Sequence, residues 1–437
     1  MIQLCYTSTL FGAMTLAAAI DAGRLGPRPE RRILLVSNNA AIPEITYALD
    51  ETPGFAALRG RFDEIRSWNE IIAPLHPSDW RARIIEVPMI GRLLRSHLGL
   101  GDAPDELVVE SIAVPPARTI AGLLRDCPIT VYADGLMSYG PTRDPLPAEI
   151  AGRITRLLHL DLVPGLVPML LTEYGVPSEP IPDDAFRAVI DQVAGAVPAD
   201  GPDETADGGV AMILGQYLSA LDILTAAEED ALHADLLRGV RARGHASVVF
   251  KPHPAAGRGH ARRVRRMAEE LGVRLTIAAD TTPAEVYFAA LRPALVAGCF
   301  STALATADRC FGLPTATLGG ELILDRLTPY ENSNRVPATI VDATVPRLAP
   351  DGTLTDPPPI DLPDLVAAVG YCMQSDAHPD LRDLAAAYVE ANGPERYFKR
   401  RRLWALDLIP PPPAPPPPAP QSAGTLSRLR RRLTARP

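Results

Sequence analysis

Cysteine is scarce in this sequence of 437 residues, and its few positions are scattered along the chain. The five cysteines are Cys5, Cys127, Cys299, Cys310 and Cys372. Because the number is odd and no C-x-x-C pair occurs, the pattern disfavours both a disulfide framework and a zinc site. It indicates a protein of a reducing compartment.

Long apolar runs are also lacking. No stretch reaches the ~20 apolar residues that a membrane-spanning helix needs. The opening "MIQLCYTSTLFGAMTLAAAIDAG" has no basic n-region and reaches Asp21 without a polar cleavage zone, so it is not typical of a signal peptide. We interpret it as a strand at 2–6, a loop and a helix, and we expect a cytoplasmic protein.

Positive charge is confined largely to one end of the chain. The formal net charge is −9. Residues 396–437 carry ten Lys or Arg and a single acid, Asp407, so this end contributes +9 and the remainder −18. Since an acidic body of this kind is a poor general binder of nucleic acid, no nucleic-acid partner is expected.

Strand-like and helix-like segments alternate through most of the chain. The apolar runs that predict strands are 32–37, 106–114, 129–134, 210–214, 247–250, 273–278, 294–298 and 314–319. Segments with helical spacing separate most of these runs, most clearly in the second half. The alternation predicts an α/β fold with two Rossmann-like, doubly wound domains that face each other across a cleft.

Composition also predicts the domain boundaries. Turn formers without a hydrophobic period predict a linker at 199–209, between a first domain at 1–198 and a second domain at 210–345. Helices within 346–409 are expected to pack back on the first domain. The remainder, 410–437, opens with the polyproline run "PPPPAPPPPAP" and ends in basic residues, so we expect it to be disordered.

The basic end carries a stripe of leucines. Leu426, Leu429 and Leu433 would lie along one side of a short basic helix. Because such helices bind anionic bilayers through apolar and electrostatic contacts, we expect weak peripheral attachment to the cytoplasmic face of the membrane. A tail without a partner is the alternative.

Four polar segments follow predicted strands, where ligands bind in open α/β sheets. In "ILGQYLS", Gly215 and Gln216 follow a strand, and a glycine there allows the backbone to approach a ligand. An ordinary turn is the alternative for this segment. In "TVYADGLMSYG", Asp134 ends a strand, and its carboxylate is a candidate general base or the first residue of an Asx-turn.

The segment "FKPHP" holds a histidine between two prolines. Pro252 and Pro254 fix φ, and each biases the preceding residue toward an extended conformation. His253 is therefore expected to be presented rigidly at the mouth of the sheet, with Lys251 two residues before it. The alternative is that His253 lies in a stiff loop and has no role in binding or catalysis.

In "GCFSTALATA", Ser301 and Thr302 begin a helix after a strand. Two hydroxyls and free backbone N–H groups at a helix N-terminus can bind an anion, although plain capping would use the same residues.

Taken together, these segments point to a nucleotide-sugar substrate. Lys251, His253 and the two hydroxyls would converge on one phosphate from the second domain, while Asp134 faces them from the first. A phosphate on one side and a carboxylate on the other suit glycosyl transfer from a nucleotide sugar. The sequence contains no G-x-x-x-x-G-K-[ST] for ATP and no D-x-D for a metal-dependent transferase. The ammonium of Lys251 and the helix N-terminus could replace a metal.

The order "ADG", "KPHP", "ST" resembles the bacterial sialyltransferases and polysialyltransferases. Their marks are an acidic D/E-D/E-G motif, an HP motif and a paired-hydroxyl motif. With "YENSNRVP" at 330–337, the sequence is most similar to the α-2,8-polysialyltransferases, over roughly 1–345. The resemblance implies a fold of the glycosyltransferase B type, CMP-sialic acid as donor, a glycan or glycolipid acceptor, no cofactor, and inverting transfer without a metal.

Carried over by position, the resemblance makes Asp134 the general base and His253 the ligand of the donor phosphate and general acid. Lys251, Ser301 and Thr302 become phosphate ligands. One position departs from the family pattern: Ala133 occupies the first acidic place of the D/E-D/E-G motif, so Asp134 must supply the carboxylate alone.

Two further residues are weaker candidates. Glu285 could bond a ribose hydroxyl, or it could close a helix capping box with Thr282. Arg143 could bind an acidic sugar, or be an ordinary surface arginine. A different nucleotide-sugar donor and a binding protein without catalysis remain alternatives for the whole chain.

Overall fold

A computed structural model of the protein describes residues 1–197, 208–253 and 258–411. Three predictions fall wholly or largely outside the described residues: the linker, Pro254 and the basic tail.

The first domain is built on a seven-stranded sheet. Its strands are β1 Ile2–Thr7, β2 Arg31–Val36, β3 Glu64–Ser67, β4 Glu106–Val109, β5 Ile129–Ala133, β6 Ile154–Leu160 and β7 Ser178–Ile181. They lie in the order β3-β2-β1-β4-β5-β6-β7, and all neighbours are parallel. The central strands are apolar on both faces, because helices cover both. Leu4 and Cys5 of β1, for example, are fully buried in the two different cores.

The helices of the first domain are α1 Leu10–Asp21, α2 Trp68–Ile72, α3 Val87–Leu98, α4 Ala117–Leu123, α5 Ala148–Ala151 and α6 Asp183–Ala194. Helices α1 and α6 cover one face of the sheet, and α3 and α4 cover the other. Helix α1 begins at the carboxyl end of β1, where the Thr9 side chain accepts a hydrogen bond from the Gly12 N–H at 2.9 Å. This cap fixes the start of α1 beside the edge of the sheet that faces the second domain.

The second domain repeats the strand order of the first. Its strands are β8 Val210–Leu214, β9 Ser247–Lys251, β10 Arg274–Ile277, β11 Leu295–Gly298, β12 Thr315–Thr317, β13 Arg347–Leu348 and β14 Leu354–Thr355. They lie in the order β10-β9-β8-β11-β12-β13-β14, with only β14 antiparallel to its neighbour. Because β13 and β14 join this sheet, the second domain extends past its predicted end at residue 345.

The remaining helices are α7 Ala226–Ala242, α8 Arg258–Glu270, α9 Ala284–Leu291, α10 Thr302–Phe311, α11 Gly320–Arg326, α12 Arg335–Thr344, α13 Leu362–Met373, α14 Arg382–Asn392 and α15 Arg400–Ala405. A capping box formed by Thr225 and Glu228 starts α7. In the described part of the chain, no helix has both the length and the apolar character needed to cross a bilayer.

The C-terminal helices contact both domains, so the prediction that 346–409 packs back on the first domain is incomplete. Helix α13 approaches the first domain closely, and the Gln374 amide donates to the Arg143 carbonyl at 2.8 Å. On the other side, the Lys399 ammonium lies 2.7 Å from the Asp325 carboxylate of the second domain. The segment therefore bridges the two domains. The predicted fold class, two Rossmann-like domains facing across a cleft, is confirmed.

Candidate active site

A cavity of about 250 Å³ lies between the two domains, at the carboxyl ends of their parallel strands. Residues of the second domain form most of its wall, and the start of α1 closes it from the first domain. Among the lining residues are Thr9, Leu10, Phe11, Gly215, Lys251, Pro252, His253, Thr282, Glu285, Ser301 and Thr302. It contains the point between β8 and β11 where the strand order reverses, which is where ligands bind in doubly wound sheets.

Lys251 is the last residue of β9, and its side chain is buried at the floor of the cavity. Its ammonium donates to the Pro252 carbonyl at 2.6 Å and to the Asp280 carbonyl at 3.1 Å. An ammonium has three donors, so one remains for a ligand. Burial, partly offset by the charges of Asp280 and Glu285, lowers the pKa of Lys251 to about 8.

His253 lies two residues after β9, as predicted, and also lines the cavity. Its ring stacks on Tyr217, with the two centroids 4.0 Å apart. Burial and, to a smaller extent, the positive charge of Lys251 lower the pKa of His253 to about 4. The ring is therefore neutral at neutral pH, with one N–H donor. A phosphate placed beside it would raise this pKa, because a nearby negative charge favours the protonated form.

Ser301 and Thr302 start α10 at the edge of the cavity. The Ser301 hydroxyl is the N-cap and accepts from the Ala303 N–H at 3.2 Å, which leaves its O–H free to donate elsewhere. The capping role and the phosphate-ligand role predicted for Ser301 are therefore compatible. The N-terminus of α10 adds a partial positive charge to this wall.

Thr302 joins the paired-hydroxyl motif of the second domain to the acidic motif of the first. Its hydroxyl accepts a hydrogen bond from the Leu136 N–H at 3.2 Å. A Cβ on Gly135 would lie 3.0 Å from the same hydroxyl, so only glycine admits this approach without displacing Thr302. Gly135 has extended backbone angles, and its role is close contact between the domains rather than a turn.

Gly215 and Gln216 are placed differently from each other. Gly215 lines the cavity, but its N–H donates to the Lys251 carbonyl at 2.8 Å, and a Cβ there would lie 2.5 Å from the Phe250 ring. Glycine is thus required by packing against Phe250. Gln216 lies outside the wall of this cavity; its carbonyl oxygen accepts from the Phe300 N–H at 3.4 Å.

Glu285 does line the cavity, and its carboxylate accepts from the Thr306 hydroxyl at 2.6 Å. The predicted capping box with Thr282 is not formed, because α9 begins after Pro283 without a side-chain cap. Burial raises the pKa of Glu285. Arg143 is exposed and lies outside the wall of the cavity.

Two larger cavities, each of about 620 Å³, lie in the first domain, and the described residues that line them include none of the predicted site residues. Among the residues that the structure describes, no group of three or more His, Cys, Asp and Glu side chains is arranged to hold a metal ion.

The sequence matches a family model over the region that contains the cleft. The model describes the alpha-2,8-polysialyltransferases and matches residues 3–319. The chain belongs to this family. It is therefore a glycosyltransferase of the sialyltransferase and polysialyltransferase group. No curated protein matches the sequence.

Several solved structures align with this polysialyltransferase-family chain at low identity. The sialyltransferase of Photobacterium damselae is 13% identical over 78% of this chain and 96% of its own, with a TM-score of 0.39. The 2,6-sialyltransferase of Photobacterium sp. JT-ISH-224, in a complex with CMP and lactose, is 12% identical over 78% of this chain and 75% of its own, with a TM-score of 0.42. The UDP-GlcNAc 2-epimerase of Methanocaldococcus jannaschii is 12% identical over 80% of this chain and 90% of its own, with a TM-score of 0.44. At this distance the matches indicate neither the substrate nor the reaction of this chain.

In this member of the polysialyltransferase family, a second carboxylate lies near Asp134 although Ala133 precedes it. Glu110 follows β4, the strand beside β5, and the two carboxylates interact electrostatically. Burial raises the pKa of Asp134. Neither Glu110 nor Thr9, which lines the cavity from the first domain, is among the predicted site residues. Within the acidic motif Asp134 provides the only carboxylate, and the second one comes from the neighbouring strand.

Proposed function

We propose that the protein is an inverting sialyltransferase that moves sialic acid, or a related nonulosonate, from a CMP-activated donor to a glycan acceptor without a metal ion. Asp134 acts as the general base. His253, Lys251 and Ser301 bind the donor phosphate, and His253 also assists the departure of CMP.

One observation carries this proposal: the hydrogen bond between Leu136 and Thr302 brings the acidic motif of one domain against the phosphate-type site of the other. The wall of the cavity on the second domain offers an ammonium, an imidazole, a hydroxyl and a helix N-terminus to an anion. Membership of the alpha-2,8-polysialyltransferase family supports the choice of CMP-sialic acid over other nucleotide sugars.

The proposed reaction is a single displacement. Asp134 takes the proton of the acceptor hydroxyl, and the acceptor oxygen bonds to the anomeric carbon of the donor. The bond from that carbon to the phosphate oxygen breaks, and its electron pair leaves with CMP. In a single displacement the acceptor oxygen attacks opposite the leaving group, and a base on the first domain with the phosphate on the second is compatible with this arrangement. The configuration is therefore inverted.

Negative charge grows on the CMP phosphate as the bond breaks. The imidazole of His253, the ammonium of Lys251 and the N-terminus of α10 all border the same cavity. Such fixed groups stabilise developing charge most effectively where water is excluded. They provide the stabilisation that a metal ion supplies in other transferases.

The experiment that tests the function is a thermal-shift series with CMP, CDP, UDP and GDP, followed by transfer from CMP-sialic acid with and without EDTA. We expect the largest stabilisation by CMP, by mass action on the folded state, and transfer that survives EDTA. Preferential stabilisation by another nucleotide would indicate that the donor carries that nucleotide instead of CMP. Stabilisation by CMP without any transfer would indicate a binding protein.

Lys251 makes donor affinity depend on pH. Because its pKa is lowered to about 8, the ammonium is charged below that pH and neutral above it. The phosphate of CMP is already fully ionised above pH ~7, since its second pKa is near ~6. We therefore expect the affinity for CMP to fall above about pH 8, by at most about tenfold per unit, in titrations between pH 7 and 9.5.

The matched control for this titration is Lys251→Met. This variant is expected to bind CMP more weakly at pH 7 and to lose the decline above pH 8. If the affinity of the wild type for CMP stays constant between pH 7 and 9.5, the Lys251 ammonium does not bind the phosphate.

The basic tail lies outside the described residues, and its membrane role remains a proposal from the sequence. From its sequence, the polyproline run is expected to act as a spacer of about 30 Å, at ~3.1 Å per residue, between a membrane-bound end and the enzyme. We expect full-length protein to sediment with anionic vesicles at low salt, and a variant truncated after Ile409 to remain in the supernatant. Equal sedimentation of the two proteins would reject the tether.

A further inference from the structure

Glu110 is a buried carboxylate beside the proposed base, and the mechanism above does not use it. It follows β4, whose Val109 pairs with Val131 of β5. The same register carried one residue further sets Glu110 level with Tyr132, whose hydroxyl donates to it at 3.1 Å. Asp134 lies two residues beyond Tyr132, and side chains two apart along an extended chain point to the same face. The topology therefore directs both carboxylates to one place at the sheet edge.

The surroundings of Glu110 are built to accept a carboxylate without a cation. The Ser8 N–H donates to it at 2.7 Å, and the Ser8 hydroxyl and the Thr7 hydroxyl, the latter at 3.4 Å, also donate. A Cβ on Gly12 would lie only 2.3 Å from a Glu110 oxygen, so the glycine of α1 leaves room for this side chain.

Among the described residues, the hydrogen-bond donors to Glu110 are Thr7, Ser8 and Tyr132, and no Lys, Arg or His forms an ion pair with it. The titratable groups that act on Glu110 or respond to its charge are Tyr6, Tyr132 and Asp134. Asp134 also interacts with the carboxyl of Glu285, whose pKa is raised by burial and by Asp134 and lowered by Lys251. Only 6% of Glu110 is exposed. Two carboxylates that share a site without a cation are costly to ionise together, so such a pair retains one proton more strongly than two separate carboxylates.

The electrostatics of the pair agree with its geometry. Burial and, to a smaller extent, the charge of Asp134 raise the pKa of Glu110 to about 7, against the lowering effect of the hydrogen bonds from Ser8 and Tyr132. Once both carboxylates are ionised, each makes the other a stronger base.

We propose that Glu110 is a positioning residue for the general base: its carboxylate shares one proton with Asp134 and, once that proton is lost, strengthens Asp134 as the acceptor of the hydroxyl proton. Glu110 thus takes the place of the acidic residue that is absent at Ala133, but from the neighbouring strand. The inference rests on the proposed sialyl transfer.

The test is the pH profile of kcat/KM for transfer from CMP-sialic acid, measured for wild type, Glu110→Gln and Tyr132→Phe. We expect the acid limb of the wild type near pH 7. Glu110→Gln removes the like charge beside Asp134, so the acid limb of this variant moves to a pH lower by about one unit or more. Its plateau in kcat/KM is about tenfold lower than that of the wild type, because Asp134 is then a weaker base. Tyr132→Phe removes a hydrogen-bond donor to the ionised Glu110, so the acid limb of this variant moves to higher pH.

Glu106→Gln is the matched control, because Glu106 lies at the other end of β4 and bonds to Gln3 and Thr130. Its limb is expected to stay at the wild-type pH. Melting temperatures identify any variant that fails to fold. Because the acid limbs of Glu110→Gln and Tyr132→Phe are expected to move in opposite directions, either variant alone still tests the proposal if the other fails to fold. Transfer with unmoved limbs in both site variants overturns the role of Glu110 alone. Absence of transfer by the wild type overturns the proposed function and this inference with it.

Discussion

Asp134→Asn is expected to abolish transfer while CMP affinity stays within about twofold of the wild type. The amide cannot take the proton of the acceptor hydroxyl, and loss of a positioned base costs about 10²–10⁴ in rate or more. The residue belongs to the first domain, whereas the phosphate groups belong to the second, so donor binding is expected to persist. Titration calorimetry with CMP and a transfer assay on the same preparation measure the two quantities.

The substitution also removes one charge from a pair that repels. The melting temperature of Asp134→Asn is therefore expected to equal or exceed that of the wild type, which separates loss of the base from loss of the fold. Asp144→Asn, an exposed aspartate in the following loop, is the matched control and is expected to keep full turnover. Wild-type turnover in Asp134→Asn would contradict the assignment of the base.

His253→Ala is expected to lower kcat by about 10²–10⁴, with a smaller loss of CMP affinity. The contribution of the imidazole grows as negative charge develops on the departing phosphate, so the transition state loses more than the ground state. A histidine that only packs against Tyr217 would instead lower the melting temperature and leave turnover of the folded protein unchanged. His97→Ala, at an exposed position of α3, controls for histidine loss alone.

The sequence predicts the strands at the centre of each sheet well, because parallel strands buried on both faces appear as continuous apolar runs. It misses strands that carry polar residues or lie toward an edge. The strand Glu64–Ser67 reads "EIRS", and Ser178–Ile181 contains a proline, which is tolerated at a sheet edge. The two-residue strands that extend the second sheet past residue 345 are too short to give any period.

The site was predictable where a single strand end carries the chemistry, as at Lys251 and His253. Glu110 was missed because "ELVVESIAV" forms one apolar run and was interpreted as one strand. The strand ends at Val109, and Ser111 adopts a left-handed φ of 48°, so the interior of the predicted strand is in fact its carboxyl end. Sequence periodicity does not locate such a break.

Contacts between distant segments account for the other differences. Gly215 and Gly135 are explained by side chains that approach them from other elements, Phe250 and Thr302 respectively. Glu285 has the sequence spacing of a capping box, yet its carboxylate binds a hydroxyl of the neighbouring helix α10. Local patterns identify which residues are unusual, but tertiary packing determines what each one contacts.

The most direct test of the central claim, that the cleft holds the donor phosphate against His253, is an NMR titration of the histidine rings with CMP and with cytidine. The His253 signal can be assigned by its loss in His253→Ala. We expect CMP to shift this signal and to raise the pKa of His253 from about 4, because the phosphate stabilises the protonated ring, whereas cytidine at the same concentration leaves the pKa unchanged. Equal effects of CMP and cytidine, or a His253 pKa that CMP does not change, would contradict the account.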